Sequence, residues 1–177
     1  MDHDDHVNLL RDGISGLGGV WADFGSGKGA FTLALADLIG PSGMIYSIDR
    51  DQGALRQQEH ALRSRYPQVN VNYQVADYTQ KLALPPLDGV VMANSLHFQS
   101  DQVSAMRSVR SYLKPDGRLL IVEYNAEGGN VWVPYPVPYS ALERLAVNAG
   151  FKGVRLLTTR PSRFHKEIYS AYCKNLV

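Results

Sequence analysis

Residues 19–30 read Gly19-Val20-Trp21-Ala22-Asp23-Phe24-Gly25-Ser26-Gly27-Lys28-Gly29-Ala30. An apolar run of strand character, Gly19 to Phe24, passes through alternating glycines into the helical stretch Ala30 to Ile39, which is apolar nearly all round. A strand that turns through glycines into a helix is the opening of a parallel α/β unit. Without side chains, Gly25 and Gly27 let the backbone turn tightly and let a ligand approach peptide N–H groups at the start of a helix.

The pattern repeats outward. MIYSID (Met44 to Asp49), VNVNYQV (Val69 to Val75), LDGVVMAN (Leu87 to Asn94) and RLLIVEY (Arg118 to Tyr124) are short, apolar and rich in β-branched residues, and they read as strands. VRLLTT (Val154 to Thr159) and EIYSAYC (Glu167 to Cys173) are two more, joined by RPSRFHK. Val103, Met106, Val109 and Leu113 form one stripe down a helix that ends before the turn Lys114-Pro115-Asp116-Gly117. Ser140 with Glu143 predicts a capping box, with Leu142, Leu145, Ala146 and Ala149 as the buried face and Gly150 as the stop. Alternation of near-continuous apolar strands with helices predicts a mostly parallel sheet covered on both faces, with right-handed crossovers.

Composition narrows the classes. The 177 residues suit one full-sized domain, 1–177, able to bury roughly 70% of the surface of its unfolded chain without a disulfide. Hydrophobic residues are 45% and charged residues 20%, which excludes a disordered, collagen-like or coiled-coil chain. Eighteen basic against seventeen acidic residues leave a net charge of +1, so nucleic acid is not an expected partner. The single Cys173 predicts a reducing compartment, the cytoplasm. MDHDDHVN at the start lacks the form of a signal peptide, and no apolar run is long enough to span a bilayer, so no membrane association is expected.

Several ligands suit the glycine turn. A phosphate loop of the Walker type fails, because Gly27-Lys28 is followed by Gly29 and preceded at the required distance by Ala22. A dinucleotide fingerprint is formally met by Gly25, Gly27 and Ala30, with Asp49 about twenty residues on, which leaves an NAD-binding oxidoreductase as one alternative. More residues match another family. Asp23, Gly25, Gly27 and Gly29 complete the acidic-x-Gly-x-Gly-x-Gly motif, Asp49 ends the second strand, Ala76-Asp77-Tyr78 follows the third, LDGVVMANSLHF is like the fourth, and LKPDGRLLIVEY is like the fifth. In these segments, from Val20 to about Cys173, the sequence resembles the class I S-adenosylmethionine-dependent methyltransferases.

That resemblance implies a Rossmann-like α/β fold: a seven-stranded mostly parallel sheet, its last strand antiparallel, with helices on both faces. It implies S-adenosylmethionine as cofactor, S-adenosylhomocysteine as product, and methyl transfer to a small-molecule acceptor; the other alternative is a module that binds either compound without catalysis. Asp23 and the N–H groups of Gly25, Ser26 and Gly27, with Gly29 completing the turn, would serve the charged amino-acid end, helped by Asn94. Asp49 would accept hydrogen bonds from the ribose hydroxyls. Arg50 would lie against the adenine and Asp77 accept its amine, beside Ala76 and Tyr78; in the plainer reading Arg50 is a solvated charge and Asp77 caps a turn.

His97, just beyond the fourth strand, is a candidate general base or else a hydrogen-bonded structural histidine. Glu123 and Tyr124 end the fifth strand and are expected to face the same pocket. The stiff segment Asn125 to Tyr139 supplies Tyr124's neighbours Trp132, Tyr135 and Tyr139 as an apolar wall or lid over an acceptor. Asn94-Ser95-Leu96-His97 departs from the Asn/Asp-Pro-Pro-aromatic motif of methyltransferases acting on nucleic-acid bases. Arg160, Arg163, His165 and Lys166 are either an anion-attracting cluster or solvated charges. His3 and His6 among Asp2, Asp4 and Asp5 read as a frayed terminus rather than a metal site, so no metal is expected. Within the segment 1–18, HVNLLRDGI (His6 to Ile14) resembles a family helix that closes over the cofactor as a partial lid.

Overall fold

The computed structural model describes residues 1–162, 164 and 166–175. Among them five α-helices and seven strands follow in the order α1 (His3–Arg11), β1 (Gly19–Phe24), α2 (Ala30–Ile39), β2 (Gly43–Asp49), α3 (Gln52–Arg65), β3 (Asn70–Val75), β4 (Leu87–Ala93), α4 (Gln102–Arg110), β5 (Leu113–Tyr124), α5 (Tyr139–Asn148), β6 (Lys152–Pro161) and β7 (Glu167–Lys174). A short 3₁₀ turn, Leu96–Phe98, follows β4. The strands form one sheet in the order β3-β2-β1-β4-β5-β7-β6. From β3 to β5 neighbours run parallel, while β7 is antiparallel to both β5 and β6. The expected seven-stranded α/β sheet with an antiparallel last strand is therefore present.

Side-chain alternation along the strands splits the core in two. Leu119 and Ile121 join Ala22, Phe24, Val90 and Met92 under α4 and α5. Leu120 and Val122 join Trp21, Ile45 and Val91 under α1 and α2, with Leu62 of α3. Both faces are thus sealed, as apolar parallel strands require.

Four local expectations are corrected. The α4 stripe ends at Val109; Leu113 already belongs to β5, where it pairs with Leu87 ahead of a register shift at the Lys-Pro-Asp-Gly segment. Helix α5 starts at Tyr139 with Pro138 at its N-cap, so Ser140 lies inside the first turn and its hydroxyl meets Glu127 instead of capping. The N-terminus is not frayed: Asp2 and Asp5 form a reciprocal capping box on α1, and His3 Nε2 lies 3.2 Å from Asp37 Oδ2. Nor is α1 a lid. Leu9 and Leu10 are fully buried in the core under α2, and among the described residues α1 adds nothing to the cavity walls at the carboxyl ends of the strands.

Candidate functional site

The chain leaves β1 toward β2 on one side and returns to β4 on the other, so a crevice opens beyond the carboxyl ends of β1 and β4. The glycine turn lies there. Gly25 has φ +75, and a Cβ on it would stand 2.7 Å from Cβ of Ser95, just after β4. Gly29 has φ +84, and a Cβ there would drive into the side chain of Gln58. Both positions need glycine for conformation and for space.

Behind the turn runs a buried polar network. Thr32 Oγ1 donates to Asp23 Oδ2 at 2.6 Å, Gln58 Nε2 donates to Thr32 Oγ1, and Ser47 Oγ, 2.8 Å from Ser26 Oγ, donates to Gln58 Oε1 at 2.9 Å. The structure thus turns the Asp23 carboxyl inward, 1% exposed, rather than presenting it to a ligand ammonium. Burial pushes its pKa up to about 7, against the hydrogen bond from Thr32 and with help from the charge of Asp49. Ser26 is likewise an internal strut, and the N–H groups expected to meet a ligand are taken within the protein: those of Gly25 and Ser26 donate to the Ile48 carbonyl and that of Gly27 to Asp49. Gln58 went unread in the sequence, although a polar residue amid the buried positions Ala54, Leu55 and Leu62 of α3 is the signal of a buried polar contact.

In front of the turn a cavity of about 220 Å³ is lined by Gly25, Asp49, Arg50, Ala76, Asp77, Tyr78, Asn94, Ser95, Phe98 and Gln99. It gathers the residues expected at the ribose and adenine ends. Asp49 at the end of β2 accepts the Gly27 N–H on Oδ2 at 2.7 Å and the Asp51 N–H on Oδ1 at 2.8 Å, leaving a further lone pair on each oxygen. Asp77 does cap a turn, accepting from the N–H and hydroxyl of Thr79, which holds its carboxyl below the usual range. Its other oxygen lies 3.6 Å from the exposed Arg50 guanidinium, so both stand at the cavity's edge. Tyr78 stacks on Phe24 and donates to the Ser95 carbonyl. Asn94 has φ +50, and its buried Oδ1 has no hydrogen-bond partner among the described residues. A buried amide oxygen without a partner is costly unless a ligand satisfies it.

A second cavity of about 450 Å³ adjoins the first. It is lined by Asn94, His97, Phe98, Tyr124, Asn130, Trp132, Val133 and Phe164. Asn94 and Phe98 belong to both walls. His97, 2% exposed, places Nδ1 2.6 Å from Glu123 Oε2, and its backbone N–H donates to Glu123 Oε1 at 3.2 Å. The stiff segment is a wall. Asn130 Oδ1 accepts from the N–H groups of Trp132 and Val133, and the Tyr135 N–H donates to the His97 carbonyl at 3.0 Å.

Of the four residues expected around an acceptor, Tyr124 and Trp132 line this second cavity and Tyr135 and Tyr139 do not. Tyr135 contributes its backbone, its ring pointing elsewhere than the cavity wall, and Tyr139 packs edge-on against Tyr169 in the core. The odd residues of β5 face α4 and α5, so Glu123 follows Leu119 and Ile121 inward to His97. Arg163 and His165 of the expected basic cluster lie outside the described residues. Arg160 meets Asp5 at 4.0 Å. No cluster of three or more metal-ligating side chains occurs among the described residues.

Residues 18–149 match the family model described as a methyltransferase domain. The chain belongs to the methyltransferase-domain family. It is a class I S-adenosylmethionine-dependent methyltransferase domain, with that compound as its cofactor. Among curated relatives it is 35% identical over 105 residues to the ubiquinone/menaquinone biosynthesis C-methyltransferase UbiE of Pasteurella multocida, covering 58% of this chain and 39% of that one. The UbiE of Azotobacter vinelandii is 32% identical over 126 residues, 68% of this chain and 49% of that one. The chain thus covers only about two fifths to one half of these relatives' length. Solved structures share its fold: YcgJ of Bacillus subtilis has TM-score 0.78 at 13% identity, covering 99% of this chain and all of that one. A SAM-dependent methyltransferase of Aquifex aeolicus has TM-score 0.73 at 18% identity, with the same coverage.

The cavity by the glycine turn suits the family's cofactor. It joins carboxylate acceptors at the β2 and β3 ends to the unsatisfied Asn94 oxygen at the β4 end, which matches a ligand with ribose hydroxyls, an adenine amine and an ammonium.

Proposed function

We propose that this chain transfers a methyl group from S-adenosylmethionine to a small, mainly apolar acceptor seated in the second cavity. The observation that carries the reading is the shared wall: Asn94 and Phe98 border both cavities, so a donor in one and an acceptor in the other meet at that boundary. Bound S-adenosylmethionine supplies an activated sulfonium methyl. The chain's part is to position and to exclude water. The Asp49 oxygens take the ribose hydroxyls, Asp77 and Arg50 take the adenine end, and Asn94 Oδ1 accepts from the ammonium. Asp23 acts from behind, holding Thr32 and the polar network beneath the turn. Alignment of two reactants in one site is worth about 7–11 kcal/mol.

Phe98, Trp132, Val133 and Phe164 give the second cavity apolar walls, and His97 takes a proton from the acceptor as the bond to carbon forms. The curated relatives are named as C-methyltransferases, and an apolar cavity with one base is consistent with a carbon or an oxygen nucleophile. We further read 1–177 as one unit working in the cytoplasm, in keeping with its single, buried cysteine. A net charge of +1 offers no surplus for nucleic acid. No helix among the described residues is long and apolar enough to cross a membrane.

Calorimetry with S-adenosylmethionine and with NAD tests the donor assignment: binding of the first alone is expected, and binding of NAD alone would favour an oxidoreductase. Asp49→Ala should weaken donor binding at least about tenfold, the scale of one charged hydrogen bond lost; unchanged affinity would remove Asp49 from the ribose. Release of S-adenosylhomocysteine over a panel of phenols, amines, thiols and carboxylates tests turnover, and no product from any of them would favour a binding module.

A further inference from the structure

We propose that Glu123 is a positioning residue that holds His97 in the tautomer protonated at Nδ1, so that Nε2 meets the second cavity as a hydrogen-bond acceptor and selects, among apolar molecules, those bearing a hydroxyl. The inference rests on the acceptor reading of that cavity and names the chemical class it takes.

Two contacts join the residues. A backbone N–H can only donate, so Glu123 Oε1 must accept from His97 N at 3.2 Å. With Oε1 engaged by that backbone donor, Oε2, 2.6 Å from Nδ1, is placed to receive the ring proton there. The other ring nitrogen then carries a lone pair. Nε2 has no hydrogen bond within the described residues, and His97 forms part of a wall whose other members include Phe98, Trp132, Val133 and Phe164. Glu123 is fully buried. The backbone of the turn that carries the ring is tied down as well, since the His97 carbonyl accepts the Tyr135 N–H. An apolar ligand would cover Nε2 and leave it without a donor, which is costly, whereas a ligand hydroxyl satisfies it.

A neutral isostere separates a merely structural pair from one that sets the tautomer. In Glu123→Gln the carbonyl oxygen must still face the backbone N–H, which turns the amide NH₂ toward Nδ1. The imidazole then has to accept at Nδ1 and carry its proton on Nε2. The isosteric change converts the cavity's acceptor into a donor.

Long-range ¹H–¹⁵N correlation spectra of the full chain read the tautomer directly, and binding of 1-naphthol and 1-methoxynaphthalene reads the selection. The wild type is expected to show the Nδ1–H tautomer and to bind 1-naphthol roughly tenfold more tightly, the worth of about one hydrogen bond. Glu123→Gln is expected to show the Nε2–H tautomer and to lose or reverse that preference, with affinity for S-adenosylhomocysteine retained. Should the variant fail to fold, the wild-type tautomer and preference decide alone. An Nε2–H tautomer in the wild type, equal wild-type affinity for the two probes, or an unaltered tautomer in the folded variant would each overturn the inference while leaving the cofactor and acceptor sites as proposed. If neither probe perturbs the resonances of Trp132 or Val133, the acceptor reading of the cavity falls and takes this inference with it.

Discussion

Asp23 shows how one residue type serves a motif in a way its position does not announce. A carboxyl that ends a strand beside a glycine turn suggests a ligand contact, yet this one faces Thr32 inside the core. Its pKa raised to about 7 by burial has a stability consequence. Below the ordinary carboxyl range both folded and unfolded chains hold the proton. Between that range and about 7 only the folded chain does, so the unfolded chain binds fewer protons and stability falls as pH rises, levelling off above about 7. Asp23→Asn removes the titration and keeps an oxygen for the Thr32 hydroxyl. In urea titrations across this range, the stability of the wild type relative to the variant should decline with rising pH; parallel profiles would show that Asp23 is ionised in the fold throughout.

The element that shapes the second cavity is the segment between β5 and α5. Prolines make it stiff, but its placement comes from hydrogen bonds to distant parts of the chain. Its ends are drawn together where the Tyr139 N–H donates to Asn125 Oδ1 and the Asn125 N–H donates to the Glu167 carbonyl. Gln102 Nε2 donates to the Tyr135 carbonyl at 2.7 Å, and buried Tyr169 of β7 donates its hydroxyl to the Val137 carbonyl at 2.8 Å. Val133 and Val137 are buried anchors, which suits a fixed wall better than a closing lid. Tyr169→Phe leaves the Val137 carbonyl unsatisfied and should cost about 1–3 kcal/mol in urea unfolding. Amide exchange at Val133 and Tyr135 should quicken more than at β1, and an equal response in the two places would show that the wall has no separate anchoring.

At the scale of the whole molecule, the sheet order brings the ends of β1, β2, β3 and β4 to one crevice and sets the end of β5 beside it. The two cavities are therefore neighbours by topology. A ligand that bridges those four strand ends binds only the folded chain. At a hundredfold excess over its dissociation constant it adds about 2.7 kcal/mol, which for a chain of this size is a rise of roughly 5–10 °C in Tm. Thermal melts should show that rise with S-adenosylhomocysteine and none with NAD. A shift with NAD of the same size would contradict the donor assignment.

Much of this was readable from residue order. Strand and helix types, the glycine turn and the acidic residues at the ends of β2 and β3 depend on local periodicity and on conformations that only glycine adopts easily, and both are written in adjacent residues. Where a side chain points at the end of a strand, and what meets it from another element, depends on register and crossover geometry, which sequence neighbours do not carry. That is why Asp23 looked like a ligand contact, why Tyr135 and Tyr139 were expected in a pocket they do not line, and why Gln58 passed unread. His97 and Glu123 lie 26 positions apart. The sequence by itself determined the kind of sheet and the donor's class; only the tertiary structure brought that histidine and that glutamate together, because β4 and β5 are parallel neighbours whose ends open on the same cavity.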